Sequence, residues 1–63
     1  MKGLSSARKT AGMTQAEFAS KIGVDRSTVT KWERGSAYPS ADKLPEIAAA
    51  LGCTIDDLYK APA

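Results

Sequence analysis

QAEFASKIGVDRSTVTKWER, Gln15 to Arg34, is the stretch whose reading decides the fold. Small or apolar residues fall at Phe18, Ala19, Ile22, Val24, Val29 and Trp32. Phe18, Ala19 and Ile22 share one face at helical spacing, as do Val29 and Trp32, which predicts two short helices. Gly23 lies between them, where a left-handed turn residue costs least. The second helix then carries Arg26, Ser27, Thr30, Lys31 and Arg34 on its other face. Apolar positions turned inward, with short polar or basic ones turned outward, make a surface suited to contacts in a DNA groove.

Working upstream, Thr14 and Glu17 have the spacing of a capping box, in which hydroxyl and carboxylate each take the other residue's backbone amide. A first helix is expected over about residues 4–11. Its apolar stripe is Leu4, Ala7 and Ala11, with Gly12 as the stop, and Arg8 lies beside that stripe rather than opposite it. Downstream, Asp25 is a favourable cap for the second helix of the central pair, and Gly35 ends that helix. Pro45 lacks a backbone donor, so an irregular turn is expected over Ser40–Leu44, followed by a helix to Leu51. Leu44, Ile47, Ala48 and Leu51 form its stripe. Thr54 and Asp57 repeat the capping pattern for a fifth helix ending near Tyr59, with Ile55 and Leu58 facing the core. Lys60-Ala-Pro-Ala is expected to fray. No strand pattern, internal repeat or low-complexity segment interrupts this all-α reading.

Sixty-three residues leave room for one domain, residues 1–63. A chain this short buries only about 60% of its extended-chain surface, so modest stability is expected. Cys53 is alone and histidine is absent, so no disulfide and none of the common zinc patterns helps. One cysteine and no signal peptide point to the reducing cytoplasm. No apolar run approaches the roughly 20 residues needed to span a bilayer. The net charge of +2 is small, but its distribution is uneven. Residues 1–34 hold seven Lys or Arg and three acids, whereas residues 35–63 hold two Lys and four acids. A basic half carrying the two-helix stretch suits a face turned toward phosphates, although ordinary scatter of surface charge could produce the same split.

These residues together resemble the DNA-binding domain of the lambdoid phage repressor and Cro (XRE-like) family. The matching elements are Arg8, Thr14-Gln15, Phe18-Ala19, Ile22-Gly23-Val24, Val29, Trp32-Glu33-x-Gly35, Pro39, Ile47-Ala48 and Leu51-Gly52. They cover nearly the whole chain in order. The resemblance implies a compact, lambda repressor-like five-helix bundle that binds operator DNA, usually as a homodimer. Its second helix would lie across the backbone and its third would enter the major groove. Carried onto this chain, Gln15 becomes a phosphate or base contact, and Arg26, Ser27 and Lys31 occupy the recognition positions. Thr28, Thr30 and Arg34 would lie near the groove wall or backbone. The same resemblance pairs Arg8 with Glu33 in a partly buried ion pair. Asp25 stands where Ser or Thr is frequent in that family, and Arg34 where Asn is common; both departures bear on which operator is read.

Each assignment has a plainer rival. Arg26 and Lys31 could contact guanine, or could be two solvated charges on an exposed helix; the surrounding pattern favours DNA. Ser27 and Thr30 are ordinary on any exposed helix. Trp32 is expected to pack rather than stack on a base, Met13 to fill a core gap, and Cys53 to act as a small half-buried residue. The leading expectation is a sequence-specific regulator, a repressor occupying a palindromic operator. The alternative on the same scaffold is an antitoxin-like or adaptor module with a protein partner. Catalysis is poorly supported: the chain has no histidine, no phosphate-cradling glycine loop and no metal cluster, and nothing calls for a cofactor.

Overall fold

A computed structural model describes residues 1–60; the remainder of the tail expected to fray, residues 61–63, lies outside the described residues. Five α-helices and one 3₁₀ turn form among them: α1 Lys2–Thr10, α2 Gln15–Ile22, α3 Arg26–Arg34, a 3₁₀ turn Ala41–Lys43, α4 Leu44–Leu51 and α5 Ile55–Tyr59. The irregular turn before Pro45 is the 3₁₀ segment, and Pro45 lies in the first turn of α4, where a missing donor costs little. The first helix starts two residues earlier than its apolar stripe indicated and ends one earlier, leaving Ala11 exposed.

Leu4, Phe18, Val29, Ile47 and Leu58 are the largest fully buried side chains, and each of the five helices supplies one. No helix here can hide its apolar face alone, so burial of these five side chains drives the whole assembly together. α1 rests on α5 and α3, α2 packs on α3 and α4, and α4 closes against α5. Trp32 is also buried, on the face of α3 that Val29 occupies.

Both capping boxes form. The Glu17 amide donates to Thr14 Oγ1 at 3.1 Å and the Thr14 amide to Glu17 Oε1 at 2.9 Å. At α5 the corresponding distances are 3.2 Å and 3.1 Å, from Asp57 to Thr54 Oγ1 and from Thr54 to Asp57 Oδ2. Gly23 ends α2 at φ 75°, which lets the Val24 amide reach back to the Ala19 carbonyl at 2.9 Å and turns the chain into α3.

Two local expectations need correction. Asp25 has cap backbone geometry, yet its side chain makes no capping hydrogen bond, so α3 begins with only the charge of that carboxylate to favour it. Ile55 is 37% exposed rather than facing the core, because the five-residue α5 reaches the interior through Leu58 alone. The chain start also contributes where no periodicity announced it. Met1 is buried, and its ammonium donates to the Trp32 carbonyl at 2.9 Å.

Candidate nucleic-acid interface

The helical repeat of roughly 100° per residue divides α3 into two faces. Val29 and Trp32 point inward and are buried. Arg26, Ser27, Lys31 and Arg34 are exposed on the opposite side, with Thr30 among them and half-buried. Thr28 is also half-buried, on the flank next to Trp32 and away from Arg26. Three cations and two hydroxyls therefore share one side of this short helix. An α-helix with such a face matches the width of the major groove of B-DNA, and arginine or lysine there can pair with guanine O6 and N7.

The other flank of α3 is fixed by a polar seam. Arg8 Nε donates to Glu33 Oε2 at 2.7 Å, with both side chains about nine-tenths buried. A second guanidinium nitrogen, Nη2, lies 3.4 Å from Glu33 Oε1, and Nη1 donates to the Met13 carbonyl at 2.7 Å. The pair thus ties α1, the loop before α2, and the end of α3. Gln15 joins it from the first position of α2: its Nε2 donates to Glu33 Oε1 at 2.9 Å. Thr30 Oγ1 lies 3.2 Å from both Gln15 Oε1 and the Arg26 carbonyl. Its single proton serves one of those acceptors at a time.

Gln15 and Thr30 are the two residues whose surroundings spacing did not reveal. Gln15 and Glu33 are eighteen positions apart, and only the packing of α2 against α3 brings them together. Arg8, Thr14, Gln15, Ala16 and Arg26 line a cleft of about 430 Å³ at the amino end of α2. Through Arg26, the first cation of the α3 stripe, this cleft joins the start of α2 to the exposed face of α3. Cys53 lies in the turn between α4 and α5, half-buried against the core; desolvation and then Asp57 push its thiol pKa up, which favours the unreactive protonated form.

A family model described as helix-turn-helix matches residues 4–58. The chain belongs to that family. Among curated relatives, the cryptic phage CTXphi transcriptional repressor RstR of Vibrio cholerae is 38% identical over 55 residues, covering 87% of this chain and 49% of that protein. The HTH-type transcriptional activator BcrR of Enterococcus faecalis is 37% identical over 46 residues, 73% of this chain and 22% of its own length. An HTH-type transcriptional regulator of Methanothermobacter thermautotrophicus is 42% identical, over 82% of this chain and 77% of that one. The chain thus spans about half of RstR and less than a quarter of BcrR. No solved structure matches the chain. None of the described helices is long and apolar enough to cross a membrane.

Proposed function

We propose that this chain is a sequence-specific, DNA-binding transcriptional regulator that inserts α3 into the major groove. The observation that carries this reading is the exposed stripe of Arg26, Ser27, Lys31 and Arg34, backed by the buried Val29 and Trp32. Arg26, Ser27 and Lys31 meet base edges. Arg34 and Thr28 serve the sugar–phosphate backbone, and Gln15 at the start of α2 anchors a phosphate across the cleft. Thr30 lies at the groove wall and holds Gln15. Repression by occupying an operator is the simplest outcome, and the RstR relative carries the name of a repressor. A protein with this role works in the cytoplasm beside its DNA.

A single domain offers few base-reading side chains, so two copies on a palindrome supply the affinity, with half-sites about 34–36 Å apart. Tyr38 in the loop after α3, Ile55 and Tyr59 are exposed and available for that pairing. The test is a titration against random duplexes and against duplexes selected from a pool, repeated at several salt concentrations. A steep salt slope and a large preference for a two-fold symmetric site are expected. Weak binding indifferent to sequence would overturn the operator reading.

A further inference from the structure

The strongest observation left over is that the Glu33 carboxylate has two clients. Oε2 takes the short bond from the buried Arg8 at 2.7 Å, and Oε1, 3.4 Å from a second Arg8 nitrogen, accepts from Gln15 Nε2 at 2.9 Å. A carboxylate only accepts, so it dictates which way round the Gln15 amide stands. Nitrogen must face Glu33, which turns the amide oxygen toward Thr30 Oγ1 at 3.2 Å. The nitrogen has two hydrogens and Glu33 takes one. Among the described residues the second has no acceptor, and Gln15 lines the cleft shared with Thr14, Ala16 and Arg26.

We propose that Glu33 is a positioning residue for DNA binding: by fixing the Gln15 amide it makes that side chain present an N–H, not a carbonyl, to a phosphate oxygen at the cleft. Thr30 completes the arrangement. While its hydroxyl donates to Gln15 Oε1, both ends of the amide are held and little rotamer freedom remains to be lost on binding. The ion pair between α1 and α3 is therefore also part of the DNA-contacting apparatus. This rests on the operator reading above.

Glu33→Gln separates the two roles of the carboxylate. The one remaining oxygen goes to Arg8, whose Nε is only 2.7 Å away, and an NH₂ group now faces Gln15. The Gln15 amide must turn over to meet it. A carbonyl lone pair then stands where the N–H stood and repels a phosphate oxygen.

The experiment is a double-mutant cycle on affinity for a duplex recovered from a random-sequence pool, with wild type, Glu33→Gln, Gln15→Ala and the double variant. Loss of one charge-assisted hydrogen bond predicts about tenfold weaker binding for each single variant. Because Glu33 acts through Gln15, adding Glu33→Gln to Gln15→Ala is expected to change nothing further. If the two losses multiply, Glu33 does not act through Gln15 and the proposal fails. No binding of wild type to any duplex would instead sink the operator reading itself.

Should Glu33→Gln fail to fold, the wild-type protein carries the test by NMR. One Gln15 side-chain amide proton is expected far downfield and near Glu33, with the other moving on addition of DNA. Two amide protons at the ordinary shifts of a solvated glutamine, with neither close to Glu33, would overturn the assignment.

Discussion

Arg8 and Arg26 stand on walls of the same cleft and carry the same guanidinium, yet they are put to opposite uses. Arg8 is 8% exposed, meets Glu33 at 2.7 Å and the Met13 carbonyl at 2.7 Å, and has given up water for protein partners. Arg26 is exposed and has no side-chain partner among the described residues. The difference is what α3 does with each flank. Toward α1 and α2 it seals a polar seam; away from the bundle it leaves cations solvated for a partner to claim. On the proposed function, the sealed flank carries mainly stability and the open flank mainly binding, with Glu33 linking the two, and substitutions can test how clean that division is.

The largest effect is expected on the sealed side. Arg8→Ala strips Glu33 of its buried partner, a change that costs about 3–5 kcal/mol and rivals the whole stability of a domain this small. Lys9→Ala, one position away and exposed, should stay within about 0.5 kcal/mol. Urea or thermal unfolding of the two variants checks this, and equal midpoints would break the comparison.

A purely steric lesion comes next. A Cβ on Gly3 would stand only 1.9 Å from the Asp57 carbonyl oxygen and 2.6 Å from that of Lys60, both backbone atoms that cannot swing aside. Gly3→Ala should therefore push α1 off α5 and cost about 1–3 kcal/mol. It touches neither the seam nor the basic stripe. If stability and binding are separable, its midpoint falls while the folded protein keeps its affinity for a selected duplex.

On the open side the pattern should reverse. Arg26→Ala and Lys31→Ala are expected to leave the unfolding midpoint nearly unchanged and to cost about 1–3 kcal/mol in affinity for the preferred site, with relaxed specificity. Arg34→Ala should weaken binding to all sequences alike and lower the salt slope by about one. Titrations of the three variants against preferred and random duplexes distinguish the two kinds of loss.

The same contrast explains what could be read from residues alone. The five helices were legible because caps, glycine stops and apolar spacing are local signals, and they agree with one another at Thr14, Gly23, Thr54 and Gly52. Trp32 was assigned to packing by its spacing from Val29, and it is buried. Ile55 misled because periodicity says which side a residue takes, not whether the bundle extends far enough to cover it. Met1 and Gly3 gave no warning, since their roles depend on how closely α1 approaches α3 and α5. On the candidate interface, the outward stripe follows from sequence order. The hold of Glu33 and Thr30 on Gln15 does not, because it arises only after α2 and α3 have docked.

The smallest effect belongs to the caps, and it is a matter of pH. The Thr14 amide and hydroxyl hold the Glu17 carboxyl below its ordinary range, and the Thr54 amide and hydroxyl do the same for Asp57. A carboxylate whose folded pKa is depressed contributes stability that is fully present above its unfolded value, ordinarily about 4.3 for Glu and 3.9 for Asp. That contribution is lost as pH falls through the lower, folded value. The unfolding midpoint should therefore be nearly level from neutral pH down to about 5 and fall below about 4, within the window the carboxylates define. Thr14→Ala removes the hydroxyl and costs about 1 kcal/mol at neutral pH. It also weakens the hold on Glu17, so its stability deficit should narrow as pH drops toward 3, where wild type loses the same interaction by protonation. Thr54→Ala should behave likewise at α5. Gly3→Ala supplies the contrast, for its lesion is a steric clash with backbone carbonyls and should persist through that acid window. A Thr14→Ala deficit that stayed constant down to pH 3 would show that the Glu17 carboxylate is not part of the cap's contribution.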